Sequence, residues 1–313
     1  MKPQAIHSVR LVFAGMLCAC FAAAGCDTVA PVDEAQVVVE GFLNSGQPLQ
    51  PVFVHRTLSP RQPYDAAQAA VSDAAVEMRL GDKLVRYTPD PGQSGRYLPE
   101  GNGAGVAAAG DVFSFSAVWR DAVVEANGVV PPEIEILAVS FEIPEEPVSA
   151  VLLDSLALSD TLATGAYTGY IYPIEATIEW AAPEAGFFQE ESWVRAQLQP
   201  FTTFSSPIVD LFLRSDEVFR EQTQEISAER KTWTGVYAVS VPEEGDPLPE
   251  HGLRVSLVRS GPDYARFAAS RDDPDQREPV SGVQGGIGIF AAVSVDSVHV
   301  QVDRTGGAFP SPQ

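Results

Sequence analysis

The chain has 313 residues, 45% of them hydrophobic, and 42 acidic against 20 basic residues give it a formal charge of −22. That apolar content suffices for a packed core and removes the chain from the low-hydrophobicity class that stays disordered. The excess of acid excludes a nucleic-acid binder, because phosphate contacts need clustered Lys and Arg; spread along the chain, the acids read as a solvated surface.

The first element is a leader. Lys2 and Arg10 make a positive start, residues 11–22 (LVFAGMLCACFA) are apolar, and Ala23, Ala24 and Gly25 put small residues before Cys26. Charge, apolar run, small residues and cysteine in that order form a lipoprotein signal over residues 1–25, with lipidation at Cys26. The apolar run is shorter than the ~20 residues of a membrane span. Acyl chains on Cys26 hold such a protein at a membrane, each buried methylene contributing about 0.8 kcal/mol. Other readings stand beside this one: cleavage before Cys20, which shortens the apolar region, an ordinary signal peptide, or a buried apolar N-terminus. All three cysteines, Cys18, Cys20 and Cys26, lie in or next to the leader, so the mature chain is expected to hold no internal disulfide and no Cys-ligated metal. Loss of the leader removes Lys2, Arg10 and no acid, which makes the mature chain more acidic still.

Residues 26–35, with Pro31, Asp33 and Glu34, read as a tether. A period of two then sets in at 36–43 (QVVVEGFL), 50–56 (QPVFVHR), 75–79 (AVEMR), 84–88 (LVRYT), 112–119 (VFSFSAVW) and 122–126 (AVVEA). Short β-branched and aromatic runs between Gly, Pro, Asn and Asp clusters predict an antiparallel sandwich over 36–127. The Ala-rich stretch 64–71 fits a short helix or a connecting turn. Residues 128–147 carry Pro131, Pro132, Pro144 and Pro147 among acids and read as an extended connector. A larger β-rich domain is expected over 148–304, with strands near 170–180, 193–198, 235–241 and 253–258. Residues 216–230 are polar and helix-tolerant, and 262–270 predict a helix opened by Pro262. A glycine-rich turn and two closing strands fill 282–302, and 305–313 are a tail. The expected fold is therefore mainly β with one or two short helices.

Few residues have the pattern of a chemical site. His7, His55, His251 and His299 stand on separate segments without the spacing of a zinc site, and structural roles are expected for them. GxSxG is absent: Gly261 follows Ser260 without the flanking glycine a nucleophile elbow needs. The acid pairs Glu145-Glu146, Glu190-Glu191, Glu243-Glu244 and Asp272-Asp273 have the residue type a glycosidase needs, yet lie beside turn residues. Asp272, Asp273 and Asp275 supply hard oxygen atoms suited to calcium, but without the glycine and final glutamate of an EF-hand, an exposed acidic loop is the better reading. Gly285, Gly286 and Gly288 do not complete a nucleotide loop, and a tight turn or close backbone packing is expected. Trp119, Trp180, Trp193 and Trp233 read as core more readily than as a sugar platform. No cofactor is indicated.

Taken in order, Cys26, VVVEGFLN at 37–44, AAVEMRLGDKLVRYTPDPGQSGRYLPE at 74–100 and AGDVFSFSAVW at 109–119 form one set. PVSAVLLDSL at 147–156, LRVSLVRSGPDYARFAAS at 253–270 and EPVSGVQGGIGIFAAVS at 278–294 continue it. Together they resemble the domain of unknown function 4249 family, envelope lipoproteins of Bacteroidota and related bacteria. The resemblance implies an immunoglobulin-like or transthyretin-like sandwich followed by a larger β-rich part, and an accessory role beside an outer-membrane TonB-dependent receptor. It carries over no catalytic residue. The expected function is that of a lipid-anchored, non-enzymatic outer-membrane protein that binds a ligand or docks on a receptor. A glycoside-directed hydrolase and a surface adhesin are the alternatives.

Overall fold

The computed structural model describes residues 35–59, 62–101, 105–153, 166–182, 192–201, 216–221, 230–271, 273, 278–303 and 309–310. Cys26, Glu190, Glu191, Asp272 and Asp275 lie outside the described residues. The chain divides into a unit of residues 36–57 and 65–313 and a second of residues 1–35 and 58–64. In the second, Gln62 N–H closes a turn on Ser59 C=O at 2.9 Å.

The amino-terminal strands are β1 (Val37–Asn44), β2 (Val52–Arg56), β3 (Ala75–Leu80), β4 (Lys83–Pro89), β5 (Arg96–Pro99), β6 (Val112–Trp119) and β7 (Ala122–Val129), with the single-turn helix α1 (Ala66–Ala69) after β2. Then come β8 (Ile136–Glu142), β9 (Val148–Leu153), β10 (Ala166–Ala181), β11 (Trp193–Phe201), β12 (Asp216–Arg220), β13 (Arg230–Val241) and β14 (His251–Ser260). Helix α2 (Pro262–Arg271), β15 (Ile287–Val302) and β16 (Phe309–Pro310) close the chain. Among the described residues the protein is mainly β with two short helices, as its periodicity predicts.

One large sheet runs in the order β12-β11-β14-β15-β1-β2-β5-β4-β3-β6-β7, with β16 against β15; a smaller one runs β13-β10-β8, with β9 against β10. β15 is the hinge of the topology. Its first half pairs in parallel with β1, from Val38 opposite Ile287 to Asn44 opposite Val293. Its second half pairs antiparallel with β14, from Ser260 opposite Val293 to His251 opposite Val302.

Two hydrophobic cores result. The first gathers alternate residues of β1 to β7, including Val37, Val39, Met78, Tyr97, Phe115 and Val124, and is completed by Val283, Phe290 and Ala292 from the end of the chain. The sandwich expected over 36–127 thus takes part of its core from beyond residue 280. Phe290 stacks on Phe115 with ring centroids 4.0 Å apart, and Gly41 makes room for it: a Cβ there would meet Phe290 Cδ2 at 2.7 Å. The second core lies between the small sheet and the β11–β14 part of the large one. It holds Ile174, Ile178, Trp180, Val194, Leu198, Leu253 and Val255.

The glycine run does both things expected of it. Gly285 (φ 74°) and Gly288 (φ 107°) adopt left-handed backbone, and a Cβ at either would lie 2.1 Å from a carbonyl oxygen, of Val123 and Val39 respectively. Only glycine fits there without strain. Glu125 and Gln284 exchange backbone hydrogen bonds of 3.0 and 2.8 Å, so this turn spans from β1 to β7.

Two expectations are corrected. The proline-rich stretch 128–147 is not merely a connector: β8 lies inside it and pairs with β10, from Glu142 opposite Glu175 to Ile136 opposite Trp180. Its prolines stand outside the strand, so no residue of Ile136–Glu142 lacks a backbone N–H. Likewise Asp216–Arg220, read as helix-tolerant, is strand β12 against β11. Phe219 packs near Trp180 and Trp233, at 6.1 and 6.5 Å, and tertiary packing of this kind outweighs local propensity. Helix α2 forms where Pro262 predicts it, burying Ala265 and Ala268.

Candidate functional site

A groove of about 430 Å³ opens on the large sheet where β14, β15 and β1 meet, lined by Phe42, Asn44, Gln47, Gln50, Val258, Tyr264, Val293 and Val295. The alternation of β1 explains half of it. Val37, Val39, Gly41 and Leu43 are buried in the first core, so Phe42 and Asn44 are turned to the opposite face, where both are half-buried. Helix α2 brings Tyr264 across, and its ring meets Phe42 edge-on with centroids 6.0 Å apart. The loop after β1 brings Gln47 and Gln50. It is fixed by Ser45 N–H donating to Val293 C=O at 2.8 Å and Gln47 N–H donating to Asn44 C=O at 3.1 Å.

The lining of this groove is uncharged. None of the eight lining residues carries a formal charge at neutral pH, on a chain whose formal charge is −22. Three carboxamides and one phenol stand over a floor of valine and phenylalanine. Gln50 Nε2 donates to Pro48 C=O at 2.8 Å, leaving Oε1 as an acceptor. Small-molecule sites combine apolar walls with a few placed polar groups in this way, at volumes of roughly 300–1,000 Å³.

The titratable groups held inside the protein serve the fold. Arg259 is fully buried and makes a two-pronged pair with Glu221, Nη2 to Oε1 at 2.8 Å and Nε to Oε2 at 2.9 Å. Trp180 Nε1 and Ser192 Oγ donate to the same carboxylate at 3.0 and 2.8 Å, and Arg259 Nη1 donates to Glu133 C=O at 2.8 Å. Burial alone pushes the Glu221 carboxyl up, but the Arg259 hydrogen bonds and charge, with Trp180 and Ser192, outweigh it and hold the group below its ordinary 4.5. His251 Nδ1 lies 2.9 Å from Pro249 C=O and Nε2 lies 2.9 Å from the Tyr237 hydroxyl. Nδ1 therefore carries the proton and Tyr237 donates to Nε2. Burial lowers His251 from 6.5, the Pro249 carbonyl opposing, and burial raises Tyr237.

The residues singled out in the sequence are not brought together. His55 is on β2, stacked on Phe53; His251 begins β14; His299 is on β15 beside Phe201. Glu145-Glu146 and Glu243-Glu244 are exposed, the latter in a turn where Asp246 accepts from Glu243 N–H at 2.9 Å. Of the calcium candidates, only Asp273 is described. Among the described residues no group of three or more His, Cys, Asp or Glu is placed to hold a metal ion, and no helix is long and apolar enough to cross a membrane. Three tryptophans donate their indole N–H to carboxylates of the chain, Trp119 to Asp73, Trp180 to Glu221 and Trp233 to Glu217, the second bond buried and the third exposed. The aromatic rings of the groove are Phe42 and Tyr264. Sequence reading misses both; the signal was the strict alternation of β1, which sends Phe42 and Asn44 away from the core.

No protein-family model and no curated protein matches this chain. The fold and the groove define the class on their own terms: a mainly β protein of two cores joined through β15, with an uncharged groove beside the joining strand.

Proposed function

We propose that this chain is a lipid-anchored cell-envelope protein that binds a ligand in the β1–β14–β15 groove. It acts without catalysis, as an accessory partner of an outer-membrane TonB-dependent receptor. The observation that carries the binding role is the groove itself, in which uncharged hydrogen-bonding side chains stand over an apolar floor. Lys2, Arg10, the apolar run and Cys26 support the anchor.

The two are related through β1. A tether from Cys26 enters the fold at Val37, and the groove lines the other end of the same strand at Phe42 and Asn44. Seven steps along the strand carry the chain from Val37 to Asn44, roughly 23 Å at about 3.3 Å per residue. The resemblance to the domain of unknown function 4249 lipoproteins supports the receptor as partner.

Affinity purification of the detergent-solubilised lipoprotein tests the partnership. Recovery of a TonB-dependent receptor in fixed ratio is the expected result. Purification as a single species that hydrolyses a glycan, with activity lost in Glu145→Gln/Glu146→Gln or Glu243→Gln/Glu244→Gln, contradicts it.

A further inference from the structure

We propose that the groove takes an uncharged saccharide, one or two pyranose rings in size. The inference rests on the groove being the ligand site and adds what it binds.

Charge is the first selector. An anion would find no cation among the lining residues and would approach a protein of formal charge −22. A cation would find no carboxylate in the lining to pair with, and leaving water without a partner is unfavourable for any ion. The occupant is neutral.

Hydrogen bonding is the second. Among the described residues, the Asn44 and Gln47 carboxamides and the Tyr264 hydroxyl have no partner within the chain, and Gln50 keeps one acceptor oxygen. A carboxamide donates and accepts at once, and so does each hydroxyl of a sugar, so adjacent hydroxyls match this set in both directions. An acyl chain or other hydrocarbon would cover the four groups and satisfy none, which is unfavourable for each one buried unpaired.

The third selector is the floor. Phe42, Tyr264, Val258 and Val295 offer an apolar surface to the C–H face of a pyranose, with the two rings already set edge to face at 6.0 Å. A peptide of neutral side chains is the nearest rival. Peptides dock on sheets by adding a strand to a free edge. Here β14 is paired along its length, with β11 on one side and β15 on the other, so it offers a peptide no free ladder.

The test uses the full-length, detergent-solubilised protein and two panels of probes at millimolar concentration: neutral disaccharides of differing linkage, and uncharged blocked tripeptides of Gly, Ala and Ser. Binding is read by saturation-transfer NMR and titration calorimetry. At least one disaccharide is expected to bind, and Tyr264→Ala and Gln47→Ala are expected to weaken it at least about tenfold. Val112→Ala, on β6, is expected to leave it unchanged. Gln47 is exposed, so its variant keeps the test sound should Tyr264→Ala fold poorly. Tripeptide binding that the same variants abolish, with no disaccharide bound, overturns the saccharide and leaves the groove as the ligand site. Disaccharide binding that neither variant weakens overturns the groove itself. Binding of neither panel overturns the proposal.

Discussion

Phe290 of β15 lies flat against Phe115 of β6, ring centroids 4.0 Å apart and planes 12° from parallel, and so joins the end of the chain to the core of its beginning. A second ring, Phe113, lies 5.7 Å away. Removing a buried phenylalanine leaves a cavity and loses its transfer energy, together about 3–5 kcal/mol. Phe290→Ala is expected to lower the urea midpoint accordingly. More pointedly, residues 36–147 expressed alone are expected not to fold, because Val283, Phe290, Ala292 and the parallel partner of β1 are missing. Sharp, dispersed amide signals from that fragment would contradict the shared core.

Backbone crowding gives a second prediction at Gly288. Its φ of 107° and the 2.1 Å approach of a Cβ to Val39 C=O mean that Gly288→Ala must distort the β1–β15 junction. A loss of roughly 1–3 kcal/mol is expected for a residue forced into such backbone. Gly245, with nothing within 4 Å of its Cβ, is the control, and Gly245→Ala should be near neutral by the same denaturation curve.

The Glu221–Arg259 pair predicts an acid dependence. Glu221 titrates below its ordinary 4.5 in the folded protein, so its contribution is fully present above that value and is lost as pH falls through the folded-state pKa. Breaking a buried pair from one side destabilises by about 3–5 kcal/mol, because the remaining charge is left unpaired. Glu221→Gln should show that loss at pH 7. The gap between it and the parent should narrow as the medium is acidified below 4.5. A gap independent of pH would mean that the carboxylate is not the ionised partner of Arg259.

His251 predicts a dependence closer to neutrality. Its folded pKa is depressed, so the unfolded chain takes up the proton first, and stability declines as pH falls below 6.5 toward the folded value. Nitrogen-15 spectra should find the proton on Nδ1, and His251→Gln should flatten the stability profile in that range. A signal from the Nε2–H tautomer would contradict the Tyr237 hydrogen bond drawn above.

Much of this was legible because period-two alternation is a local property. Val37, Val39 and Leu43 against Phe42 and Asn44 identify β1 and its two faces, and Pro262 locates the start of α2. What was hidden depends on partners distant in sequence. Nothing near Val38 announces that Ile287 will lie beside it in parallel. The prolines around β8 masked a strand whose ladder is made with Glu175 to Trp180, and Asp216–Arg220 is polar by composition yet held extended by Phe219 among tryptophans. The groove was hidden for the same reason: its residues come from β1, its following loop, β14, α2 and β15, and only the fold assembles them.

An acyl anchor on Cys26 is what would hold the protein at a membrane. Mass spectrometry of the amino-terminal peptide, taken from protein purified out of membranes, reads it directly. The account predicts a mature chain that begins at Cys26 and carries a diacylglyceryl group there, with Cys26→Ser leaving the leader uncleaved or the protein unanchored. A mature chain that begins at any other residue, or an unmodified Cys26 in membrane-bound protein, would contradict it.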